Sequence, residues 1–128
     1  MNLKLRSLAI FAFLLLAVPS LAFAHAHLVK SSPVKDSTIH SAPNEVILNF
    51  SEDLELAMCK VQVKDLKSGK IVSQGKLENP DGKKNSIKVE LEPLKNEKSK
   101  YEVSWKAVST DSHRMPGKFV FSYEPQAK

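Results

Sequence analysis

The sequence predicts an all-β domain, an antiparallel sandwich or barrel of around seven short strands, behind a leader that is removed on export. Apolar residues after the leader recur at a period of two rather than 3.6. Turn-forming pairs such as Ser32-Pro33, Ser68-Gly69, Asn79-Pro80-Asp81-Gly82 and Lys95-Asn96 break the alternation at short intervals. No long stretch carries the stripe of an amphipathic helix.

The leader comes first. Lys4 and Arg6 precede an apolar run from Leu8 to Val18, Pro19-Ser20 breaks it, and Ala22-Phe23-Ala24 has small residues at the −3 and −1 positions of a peptidase site. The run is short of the roughly 20 residues that a membrane span requires. Cleavage after Ala24 divides the chain into a signal peptide, 1–24, and a domain, 25–128, that begins at His25. A junction after Ala26 would start the chain at His27 instead, but only the first places Ala at both −3 and −1. Losing Lys4 and Arg6, and no acid, lowers the formal charge from +5 to about +3. That balance, with no basic run interleaved with aromatics, argues against a nucleic-acid partner. The remaining chain is expected to be a monomer with no stable membrane insertion. Cys59 is the only cysteine, so the domain must hold together without an internal disulfide.

The strands follow in order. His27 to Ser31 is a weak candidate. Val46, Leu48 and Phe50 alternate between Pro43-Asn44 and Ser51-Glu52-Asp53, and Cys59, Val61 and Val63 alternate with Lys60, Gln62 and Lys64. Ile71 to Gln74 is a second weak candidate. Ile87, Val89 and Leu91 form a strand stopped by Pro93, and Tyr101, Val103, Trp105 and Ala107 form the next, with Trp105 as a core anchor. Phe119, Phe121 and Tyr123 form the last, stopped by Pro125, with Ser109 to Gly117 as its connection. Met58 and Cys59 are adjacent, which on a strand sends them to opposite faces and makes a joint site unfavourable.

Four histidines carry the candidate chemistry: His25, His27, His40 and His113. Cleavage after Ala24 frees an α-amine on His25, and that amine and the His25 ring can close a chelate on one ion. Nitrogen donors of this kind suit Cu(II), which heads the divalent affinity order and favours a tetragonal plane. The amine must lose its proton to bind, so affinity falls as pH drops below about 7.7–8. Asp111 and His113, two apart in an extended segment, would project to one side and complete three nitrogens and one oxygen around a single Cu(II) ion. An Asp-x-His pair in a loop is more often merely solvated, and Asp111 could equally cap a turn. His27 offers a competing arrangement. As the third residue it could wrap Cu(II) or Ni(II) with the amine, two backbone amides and its ring. His40, before Pro43, reads as an exposed turn residue.

At these residues the sequence resembles the CopC family of periplasmic copper-binding proteins. The start His25-Ala26-His27-Leu28-Val29 with Ser32-Pro33, the segment Leu48-Asn49-Phe50-Ser51-Glu52, and the series Tyr101, Val103, Trp105, Val108-Ser109, Asp111, His113, Gly117 and Phe121 are similar to the family's motifs. The resemblance spans nearly all of the exported part. It implies an immunoglobulin-like Greek-key β-sandwich and a Cu(II) site, and it carries ligand roles onto His25, Asp111 and His113. It also implies copper handling in the periplasm as carrier or buffer, with an inner-membrane copper transporter as recipient or donor. Some members add a methionine-rich Cu(I) site. Only Met58 and Met115 remain after the leader, apart in sequence, so no such site is expected.

Two other classes compete with a non-enzymatic carrier. A copper monooxygenase built on an N-terminal histidine brace needs an open position for oxygen, which Asp111 would occupy. A metal-free adhesion sandwich would bind Cu(II) no better than any surface histidine does. No base accompanies Ser112 or Cys59 at a telling spacing, and there is no glycine-rich phosphate loop.

Overall fold

The computed structural model describes residues 27–127. The chain runs through β1 (Leu28–Ser32), β2 (Thr38–Ile39), β3 (Glu45–Phe50), β4 (Lys60–Asp65), β5 (Ser73–Glu78), β6 (Ser86–Leu91), β7 (Ser99–Val108) and β8 (Arg114–Tyr123). Short 3-10 turns stand at Leu56–Met58 and Pro80–Gly82. The strands form two four-stranded sheets, ordered β1-β3-β6-β5 and β2-β8-β7-β4. This is the immunoglobulin arrangement of two facing antiparallel sheets, with β2 added parallel to the end of β8.

Alternation decides which side chains meet between the sheets. Val46 and Leu48 from β3, Ile87 from β6, Val63 from β4, and Val103 and Phe121 from β7 and β8 are completely buried. Each such side chain contributes about 1.5–3 kcal/mol relative to leaving it in water. Tyr101 stacks on Phe121 with ring centroids 5.3 Å apart. Cys59 is buried as a free thiol, pushed up from its ordinary pKa by burial, while its neighbour Met58 is exposed. The two sulfurs thus lie in different environments, but not through strand alternation: Met58 ends the 3-10 turn and Cys59 follows it, both ahead of β4.

Four details depart from the sequence reading. There are eight strands, because β2 is only two residues long and too short to show a period. The weak candidate at Ile71 to Gln74 lies further on, at Ser73–Glu78. Ile71 makes only an isolated bridge to Lys64 and is exposed, although Val72 beside it is buried. The last strand begins at Arg114 rather than near Phe119. Pro116 and Gly117 suggest a breaker, yet both pair with β7, opposite Lys106 and Trp105. Pro116 stands ahead of the two residues that β2 covers, so its missing N–H costs nothing on that edge. Trp105, finally, is half-buried at the rim of the core, against Phe50 at 6.1 Å and Phe119 at 5.9 Å.

Candidate metal centre

The connection between β7 and β8 is a five-residue turn, Ser109 to His113, not an extended linker. Val108 and Arg114 close the ladder beneath it. The Ser109 amide donates to the His113 carbonyl at 2.9 Å, and the Ser112 amide donates to the Ser109 carbonyl at 2.9 Å. Ser112 takes a positive φ of 71°, which the tight reversal requires. Asp111 and His113 are therefore brought together by a turn, not by the pleat of a strand.

Inside the turn the polar groups form a closed set. Ser109 is almost completely buried, and its hydroxyl donates to Oδ1 of Asp111. The His113 amide donates to Ser109 Oγ at 3.1 Å. Oδ2 of Asp111 stands 2.8 Å from Nδ1 of His113. An ionised carboxylate can only accept, so Nδ1 of His113 carries the hydrogen of this bond. Asp111 lies below the usual carboxylate range, held there first by the Ser109 hydroxyl and then by the His113 ring. The carboxylate is thus charged across the neutral range, and it orients an imidazole as carboxylates do behind metal-bound histidines.

A third donor comes from the other sheet. Leu54 bridges to Ser109 and the Thr110 amide donates to the Asp53 carbonyl at 3.1 Å, which ties the segment after β3 to the turn. Glu52 is thereby brought in. Ligand atoms of Glu52, Asp111 and His113 all lie within 4.8 Å of one another. Glu52 was not singled out by sequence spacing, since 59 residues separate it from Asp111. Its only sequence signal was its place at the end of the Leu48–Glu52 motif.

His27 is at the same end of the sandwich. Its amide donates to Ser51 Oγ at 3.0 Å, and the Ser51 amide returns a bond to the His27 carbonyl at 3.0 Å. His27 also lines a depression with Phe50, Trp105, Arg114 and Met115. His25, like the whole leader, lies outside the described residues. His40 is exposed at a different place, its Nδ1 donating to the Glu124 carbonyl at 2.8 Å. Among the described residues no helix is long and apolar enough to cross a membrane.

Comparison with known proteins matches the chain to a family. A family model described as the CopC domain matches residues 28–124. The chain is 36% identical over 109 residues to the copper transport protein CutJ of Bacillus subtilis, covering 84% of this chain but only 20% of CutJ. Among solved structures, CopC from Methylosinus trichosporium OB3b superposes with a TM-score of 0.71 at 26% identity, covering 81% of this chain and 98% of that one. PcoC, a methionine-rich copper resistance protein from Escherichia coli, gives 0.65 at 31% identity, covering 79% of this chain and all of PcoC. With the family model spanning both sheets and the Asp111–His113 turn, the chain belongs to the CopC domain family.

Proposed function

We propose that the exported chain, residues 25–128, binds one Cu(II) ion in the periplasm and serves copper homeostasis as a carrier or buffer rather than as an enzyme. Family membership carries the copper-related role. The observation that supports the finer reading is the prearranged pair of Asp111 and His113 beside Glu52, at the end where His27 is fastened to Ser51. Two residues of chain reach at most about 7 Å, so the amine and ring of His25 would start from an anchor next to Glu52. His25 and His113 then supply the nitrogens and Asp111 an oxygen and a negative charge. Glu52 adds a second carboxylate. Imidazole, amine and carboxylate donors favour Cu(II) over Cu(I), for which soft thioethers are the usual ligands.

The wrapped tripeptide is disfavoured by a specific contact. Wrapping requires the His27 amide to lose its hydrogen to the metal, and that hydrogen is already donated to Ser51 Oγ. The partner in this reading is an inner-membrane copper transporter. CutJ supports it, since a protein named for copper transport has a segment similar to this chain within a much longer polypeptide.

The experiment is N-terminal sequencing of the exported protein, then Cu(II) titration followed by electron paramagnetic resonance. A chain beginning at His25 with three-nitrogen, one-oxygen hyperfine values is expected. A different first residue, four-nitrogen values, or Cu(II) affinity indifferent to an extra residue before His25 would sink the reading.

A further inference from the structure

The outer faces of the two sheets differ sharply in charge. On β1-β3-β6-β5, Lys30, Lys76 and Lys88 are offset by Glu45, Glu78 and Glu90. Lys88 reaches Glu78 at 3.2 Å and Glu45 at 4.0 Å, and Lys76 reaches Glu78 at 3.4 Å. On β2-β8-β7-β4 the outward positions carry Lys60, Lys64, Lys100, Lys106, Arg114 and Lys118 against the single acid Glu102. None of these six cations makes an ion pair within 4.0 Å to another described residue. The positive excess of the exported chain is thus gathered on the outer face of one sheet.

The register makes this costly to the fold. Lys60 stands directly opposite Lys106 across the β4–β7 ladder, and like charges so placed are destabilising. Lysines on an edge strand deter unwanted strand pairing, which accounts for Lys60 and Lys64 on β4. It also covers Lys118, which stands on the part of β8 that β2 leaves unpaired, but it does not account for Lys106 on β7, which is paired on both sides. The face also lacks what a specific protein partner needs. No aromatic residue points outward from β4, β7 or β8, and the apolar residues among the outward positions are Val108, Pro116 and Val120. An open face of lysine charges without aromatic anchors suits the diffuse negative potential of an anionic headgroup surface, which needs no shaped pocket.

We propose that the outer face of β8, β7 and β4 adsorbs the protein to the surface of an anionic phospholipid bilayer. Arg114 follows His113 directly, so a chain lying on this face holds the β7–β8 turn close to the plane of the headgroups. Adsorption is electrostatic, without insertion, and independent of the metal reading. It requires neither copper nor His25.

The test is co-sedimentation of the copper-free exported chain with phosphatidylglycerol–phosphatidylcholine vesicles and with phosphatidylcholine vesicles alone. Binding to the anionic vesicles only is expected, with release at about 1 M salt, where screening acts within roughly 3 Å. The variant K60Q/K106Q/K118Q should partition on the order of a hundredfold more weakly. The variant K30Q/K35Q/K83Q, equal in net charge, should stay within a few-fold of the parent. Unchanged circular dichroism in both variants establishes that each is folded. Equal losses in the two variants, absence of adsorption to anionic vesicles, or retention on immobilised polyglutamate without retention on vesicles each overturns the proposal. The last outcome would assign the face to an acidic polypeptide. A loss of Cu(II) binding in His113→Ala with adsorption intact would separate this proposal from the metal reading.

Discussion

His27 and Ser51 hold each other by two hydrogen bonds, amide to hydroxyl and amide to carbonyl, each 3.0 Å long. This pair anchors the chain at His27, just ahead of β1. Ser51→Ala removes the hydroxyl acceptor and leaves the carbonyl bond. A net hydrogen bond is worth about 0.5–1.5 kcal/mol, so Cu(II) affinity should fall by a few-fold. The freed His27 amide should also raise the four-nitrogen fraction in the paramagnetic spectrum. An unchanged spectrum and affinity would mean that the anchor plays no part in binding.

Replacing the turn residues separates the two copper arrangements. Asp111→Ala removes a proposed ligand and, with it, the group that orients the His113 ring. Loss of an orienting partner alone typically costs 10–100-fold in metal affinity, so a loss of at least that size is expected. His113→Ala should cost at least as much, and His27→Ala almost nothing. A competition titration against a chromogenic chelator ranks all three. A larger loss for His27→Ala than for Asp111→Ala would reverse the preference for the turn.

Gly117 lies against the indole of Trp105, so close that an added Cβ would fall 2.4 Å from Cζ2 and 2.7 Å from Cε2. The ring also contacts Phe50 and Phe119, so a retreat would disturb both contacts. Gly117→Ala should therefore destabilise the fold by about 1–3 kcal/mol, the usual cost of overpacking. Urea unfolding followed by tryptophan fluorescence reads it, and a loss below 0.5 kcal/mol, roughly the size of ordinary surface changes, would show that the ring gives way.

Asp65 sets part of the acid limit of stability. Burial alone would raise its pKa, but hydrogen bonds from the Ser99 hydroxyl, the Lys67 amide and Ser68 outweigh that and hold it below the ordinary carboxylate value. A depressed folded pKa gives stability that is present above the unfolded value, about 3.9, and lost as pH falls through the lower folded one. Asp65→Asn should cost about 1–3 kcal/mol at neutral pH. It should also flatten the decline of the melting temperature between pH 5 and the acid limit. An unaltered acid slope would remove Asp65 from this role.

Most of the sandwich was legible because alternation survives wherever one face of a strand is buried. Val46-Leu48-Phe50 and Tyr101-Val103 read directly as strands. What escaped was set by neighbours remote in sequence. Thr38–Ile39 is a strand only because the end of β8 lies beside it. Arg114–Gly117 is one because β7 pairs with it across its whole length. The site divides in the same way. Asp111 and His113 are two residues apart and could be paired on paper, although the local reason was misjudged as a pleat when it is a reversal through Ser112. Glu52 required the bridge from Leu54 to Ser109, which no local pattern encodes.

Glu52 leaves β3 in one layer of the sandwich, whereas Asp111 and His113 cap the hairpin of the other. An ion gripped by all three would act as a clasp across that end of the two leaves, adding to the backbone bonds and the Phe50–Trp105 ring contact that join them there. Protein carrying the ion should then breathe less at that end, and amide protons of residues 50–54 and 108–113 should exchange more slowly than in the empty form. The exchange rate would report cargo directly, with no spectroscopic handle on the metal.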